Sequence, residues 1–168
     1  MSRQSLKVRG FRGFVPFSRL TVSDVPGVAG VYVIVRTSAA PPTFLSGSPA
    51  GHFKGREPSV SIEELTDAWV DGAEVIYIGK AGAGQDGRRG LRKRLDEYRR
   101  YGAGEPVGHQ GGRYIWQLQD ASSLLVAWLP TSPDQDPGDV EASLVAEFTK
   151  IHGSRPFANR NSGRRPRT

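Results

Sequence analysis

The chain has 168 residues, which at roughly 100 to 200 residues per domain supports one domain and excludes an enzyme with separate cofactor and substrate halves. It contains no Cys, which excludes disulfides, thiolate nucleophiles and cysteine-containing zinc sites. Its 23 Lys and Arg against 17 Asp and Glu, a formal charge of +6, point to a polyanionic partner. Hydrophobic residues at 37% suffice for a core, while 21 Gly and 12 Pro predict long connections. No apolar run approaches the ~20 residues of a membrane span. Residues 1–10 hold no apolar stretch of the secretory type, so the expectation is a cytoplasmic protein without a membrane partner.

The chain opens with Arg3, Lys7, Arg9, Arg12 and Arg19 and no acid among residues 1–19, so residues 1–27 read as a basic N-terminal arm. Residues 30–35, Gly-Val-Tyr-Val-Ile-Val, follow the turn signal Pro26-Gly27 and read as a strand with Tyr32 and Ile34 on one face. Residues 37–58 are rich in Ala, Pro, Gly and Ser, have no period and read as a loop. Ser61 and Glu64 have capping-box spacing, and Ile62, Leu65 and Trp69 recur at helical intervals, so a short helix is expected to end near Gly72. A second strand follows over residues 75–79. The glycine-rich residues 80–90 lead into a helix striped by Leu91, Leu95 and Tyr98 and stopped at Gly102. Residues 113–118 and 124–129 read as two further strands around a polar turn at Asp120 to Ser122. Asp136 and Pro137 supply an N-cap and a proline at N1 for a helix striped by Val140, Leu144, Phe148 and Ile151 and ended by Gly153. Trp69, Trp116 and Trp128 fit core positions, and residues 162–168 read as a basic disordered tail.

The charge is segregated along the chain. Basic blocks at residues 1–19, 82–101 and 150–168 alternate with acidic ones at 57–74 and 119–147, each of which holds six acids and no base. Convergence of the basic blocks in space would make a phosphate-binding face with salt-dependent affinity. Arg88, Arg89, Arg92 and Lys93 are the candidate nucleic-acid contacts. His109, in Gly-His-Gln-Gly-Gly, joins them as a candidate, although a lone histidine on such a loop reads first as an ordinary polar residue.

The order of these elements and the residues in them resemble one family, the GIY-YIG nucleases. The first signature reads Gly30-Val31-Tyr32 and the second Tyr77-Ile78-Gly79, each on an expected strand. Arg94 precedes Leu95, with Tyr98 one turn later on the next helix, as in the family. Glu147 stands nine residues before Pro156 and twelve before Asn159, the family's spacing between a metal-binding glutamate, a proline and a final asparagine. The resemblance spans residues 28–161. It departs from the family in an insertion at residues 37–74, which separates the two signatures, and in the glycine-rich segment before the arginine. Insertions of this kind cost little, because loop closure grows only logarithmically with length.

The resemblance implies an α+β fold: a small, mainly antiparallel sheet carrying both tyrosines, flanked by the Arg94 and Glu147 helices. It implies a nuclease that hydrolyses phosphodiester bonds, with DNA as the expected substrate and Mg²⁺ or Mn²⁺ as the cofactor. The residue chemistry agrees with it. Arg94 can bind phosphate in bidentate fashion at any pH, and Glu147 offers one hard carboxylate, which suits an ion that keeps several waters. Tyr32 is expected to activate the water, Tyr77 to help hold it and Lys80 to tune the pair, with the tyrosine roles exchangeable. A phenol titrates near 10 unperturbed, and nearby cations would favour its phenolate. Tyr98 and Asn159 are expected to hydrogen-bond within the site. Rivals stand beside three of these residues: Arg92 for Arg94, Glu141 for Glu147 and Asn161 for Asn159. The segment Gly82 to Gly87 also matches a dinucleotide fingerprint, but Glu105 falls in a loop and the parallel βαβ halves are missing. A different class of protein, a non-catalytic nucleic-acid-binding module on the same fold, fits the same sequence.

Overall fold

The structure, a computed structural model, describes residues 1–109 and 111–160. Asn161 and the expected basic tail lie outside the described residues. The fold is α+β, built on one four-stranded antiparallel sheet. Its strands are β1 (Arg12–Pro16), β2 (Gly30–Val35), β3 (Val75–Ala81) and β4 (Leu125–Pro130), in the spatial order β1-β4-β2-β3. The helices are α1 (Arg3–Val8), α2 (Ile62–Ala68), α3 (Leu91–Gly102) and α4 (Pro137–His152), joined by short 3₁₀ turns. No helix among the described residues is long and apolar enough to cross a membrane.

Alternation along the strands sends side chains to two faces. Tyr32, Ile34, Tyr77 and Trp128 pack with Leu91, Leu95 and Tyr98 of α3, whereas Val31, Val33, Ile78 and Ala127 pack with Leu144 and Phe148 of α4. The central strand β2 is buried along its whole length, as a strand covered on both faces must be. α4 forms where its caps require it. The Asp136 side chain accepts from the Gly138 N–H at 2.7 Å, Pro137 opens the first turn, and Gly153 ends the helix at φ 76°.

Two expectations are corrected. Residues 1–27 are not a detached arm: Ser2 makes a capping box with Ser5, Leu6 and Phe11 are buried, and β1 pairs with β4 at the sheet edge. The isolated apolar residues of this segment have no run or period to announce them. Residues 113–118 do not form a strand but a 3₁₀ turn over Arg113–Gln117, opened by Gly112 at φ 73°. Tyr114, Ile115, Trp116 and Gln117 are all buried, so their β-favouring side chains reflect enclosure on every side and not a pleat.

The insertion packs back on the domain. Phe44 bridges Leu118, and the Gln117 side chain accepts from Val60 N–H at 2.7 Å while donating to the Leu45 and Val60 carbonyls. Buried Arg36 donates to Asp120 Oδ2 at 2.7 Å and to the Ser38 and Ala40 carbonyls. The turn after α4 closes the outer edge of β3: Ala158 N–H donates to the Ile76 carbonyl, and the Asn159 side chain pairs with both backbone groups of Ile78.

Candidate active site

The register of β2 on β3 places Tyr32 opposite Gly79 and Ile34 opposite Tyr77. Tyr32 lies over Gly79 so closely that a Cβ there would stand 2.5 Å from Tyr32 Cζ, which is why the second signature needs glycine after its isoleucine. Tyr98, projecting from α3, completes a triangle of edge-on rings. The centroids are 6.0 Å apart for Tyr32 and Tyr77, 6.2 Å for Tyr32 and Tyr98, and 5.7 Å for Tyr77 and Tyr98. The Tyr98 hydroxyl donates to the Gly112 carbonyl at 2.7 Å, and a side chain at Gly112 would collide with both Tyr98 and Tyr77. Arg94, one turn before Tyr98, donates to the Gly108 carbonyl at 3.3 Å and lies 3.6 Å from Glu97.

A cleft of about 440 Å³ opens beside this triangle at the edge of β3. Tyr77, Lys80, Glu141 and Asn159 line it, together with Arg56, Arg113 and Arg160. Lys80 Nζ sits 3.3 Å from Glu141 Oε2. Of the two signature phenols it is Tyr77 that reaches the cleft, while Tyr32 is wholly enclosed behind it.

Glu141 and Glu147 have different surroundings. Glu147 is held by Arg9 in a bidentate pair at 2.7 and 2.6 Å, away from the tyrosines, and that pairing keeps its pKa below the ordinary carboxylate value. The expectation that Glu147 joins the cluster is corrected: Glu141 does. Six residues turn a helix through about 600°, so carboxylates at these positions point about 240° apart and only one can face the cleft. Burial raises the Glu141 pKa, against the charges of Lys80 and Arg94.

Burial also decides the state of the phenols. It raises Tyr32, against the opposing charge of Arg94 and hydrogen bonding from Tyr77 and Arg94. Tyr77 and Tyr98 are raised well above the ordinary phenol value, again by burial first. Arg94 lowers both signature tyrosines as the sequence suggests, but enclosure outweighs it, and the resting site holds protonated phenols.

The remaining candidates divide. Asn159 sits at the cleft with its amide committed to Ile78, its Oδ1 accepting at 2.9 Å and its Nδ2 donating at 2.7 Å. Arg88, Arg89, Arg92 and Lys93 do not line the cleft but a separate shallow groove with Gly27 and Asp96. Within it Arg89 chelates Glu97 at 2.9 and 3.0 Å, and Arg92 donates to the Val25 carbonyl at 2.8 Å. His109 is fully buried against the tyrosines and presents nothing to a nucleic acid in this conformation. Sequence reasoning missed Arg56, Arg113, Arg160 and Tyr114. Only Arg160 belongs to a basic block, and nothing local marks the others, since topology alone brings them together.

Among the described residues there is no group of three or more His, Cys, Asp or Glu side chains placed to hold a metal. The cleft offers the single carboxylate of Glu141, a donor set that fits a hard cation retaining most of its water, such as Mg²⁺, and no softer ion. No family model, no curated protein and no solved structure matches the chain.

Proposed function

We propose that this chain is a metal-dependent endonuclease of the GIY-YIG type, hydrolysing phosphodiester bonds in DNA at the cleft on the edge of β3. The observation that carries the reading is the convergence of Tyr32, Tyr77 and Arg94, drawn from three elements, beside a cleft whose wall holds Lys80, Arg113 and Arg160 with one carboxylate, Glu141. Cations in a partly enclosed site suit a phosphodiester, whose hydrolysis concentrates negative charge on the phosphate oxygens.

In this reading Lys80, Arg113 and Arg160 hold the substrate phosphate at the cleft wall, and Tyr77 presents its hydroxyl to the attacking water. The water's proton passes to the tyrosine pair, the hydroxide oxygen forms the new bond to phosphorus, and the departing oxygen is protonated from solvent. Tyr32 is the member of the pair on which Arg94 acts most directly, which makes it the better resting place for negative charge. Glu141 would hold a divalent cation, Mg²⁺ or Mn²⁺, which supplies charge neutralisation at the phosphate when bound. Arg56 brings the insertion to the same cleft and so gives it a part in substrate choice. Incubating supercoiled plasmid with the protein and Mg²⁺ should give nicked product, and a chelator should abolish it. Binding without cleavage in any divalent ion would contradict the enzyme and leave a nucleic-acid-binding module.

A further inference from the structure

Three polar side chains are deeply buried: Arg36, His109 and Gln117. Arg36 and Gln117 tie the insertion to the domain. His109 has no such task. Its ring stacks on Tyr98 with centroids 3.8 Å apart and planes 12° from parallel, and its Nε2 lies 3.5 Å from Tyr32 Oη. The loop that carries it is anchored to α3 on both sides, by Arg94 at Gly108 and by Tyr98 at Gly112.

The groups facing His109 are Tyr32 from β2, Arg94, Tyr98 and Tyr101 from α3, and the Gly111 backbone of its own loop. Burial and then the Arg94 charge hold its pKa well below that of an ordinary imidazole, so the ring is neutral and one nitrogen can accept. Arg94, on the other side of the Tyr32 oxygen, has donors only. The Tyr98 hydroxyl is already directed at Gly112. The phenolic hydrogen of Tyr32 therefore has His109 Nε2 as its acceptor.

We propose that His109 is a positioning residue of the site: by accepting the Tyr32 hydrogen at Nε2, it turns the remaining lone pairs of Tyr32 Oη towards Tyr77 and Arg94. The inference rests on the nuclease reading. Tyr32 takes part in removing the water's proton only when its oxygen has a free lone pair facing Tyr77, and His109 fixes that orientation from behind, without touching substrate.

The test compares His109→Phe, which keeps the stack on Tyr98 and removes the acceptor, with His109→Gln, whose amide oxygen can stand near the place of Nε2. On a duplex DNA substrate with Mg²⁺, His109→Phe should lower kcat about tenfold, the usual effect of losing one oriented hydrogen bond, with KM changed by no more than about threefold. His109→Gln should recover most of that loss. Full activity in His109→Phe overturns the proposal, as does equal impairment of the two variants, which is what a purely packing role gives. An inactive wild-type protein overturns the nuclease reading instead. The ¹⁵N shifts of His109 then still decide the contact: an unprotonated Nε2 whose shift moves in Tyr32→Phe supports it, and an unchanged shift overturns it.

Discussion

Asn159 applies both ends of its amide to one residue of β3 and so behaves as one more strand residue beside the strand that carries Tyr77. Removing the amide in Asn159→Ala leaves the Ile78 N–H and carbonyl without these partners. The expected cost is about 1–3 kcal/mol of stability, read as a lower denaturant midpoint with an unchanged slope; an unchanged midpoint would contradict this role. His109 makes a second residue-scale prediction. Its folded pKa lies below the unfolded value of about 6.5. As the pH falls through about 6.5 the unfolded chain binds a proton that the folded one refuses, so its contribution to stability is intact above that pH and declines below it. Thermal unfolding followed from about pH 7.5 to 5 should therefore show a fall in Tm that is smaller in His109→Gln, and an identical fall in the two proteins would contradict the assignment.

At the scale of elements, α4 shows what a sequence can and cannot announce. Asp136, Pro137 and Gly153 are local signals, and the helix lies where they place it. Which carboxylate on it faces the tyrosines is not local. Spacing to Pro156 and Asn159 favours Glu147, whereas the rotation of the helix on the sheet directs Glu141 to Lys80 and gives Glu147 to Arg9 on α1's C-cap. That distinction depends on how residues 1–27 fold, and their sequence hides it. Under the proposed function, Glu141→Gln should lower cleavage by at least about a hundredfold, the scale of losing a principal charge in an active site. Glu147→Gln should leave cleavage within about threefold and cost no more than about 1 kcal/mol, since its pair with Arg9 is exposed. Reversed effects in a cleavage assay would return the role to Glu147. The strands carrying the two tyrosines were legible from β-branched runs, while the 3₁₀ turn at Arg113–Gln117 was not, because burial on every side mimics a strand's composition.

For the whole molecule, the charge pattern of the sequence proves a poor guide to the cleft. Of the basic blocks, the first supplies Arg9 to Glu147 on α4 and the second lines its own groove. Arg56 and Arg113, outside all three, stand at the cleft because the insertion folds back against the turn at Arg113–Gln117. Long-range packing of this kind has no period and no spacing, whereas the tyrosines, Arg94 and Tyr98 sit on regular elements whose faces could be read in advance. The central claim is that this gathering of distant groups performs chemistry on a phosphodiester, and Tyr32→Phe tests it most directly. Removing one buried hydroxyl keeps the ring, the cleft and its cations. Measured together on one DNA duplex with Mg²⁺, cleavage should fall by at least about a hundredfold while affinity stays within about threefold. Undiminished cleavage by Tyr32→Phe would contradict the account.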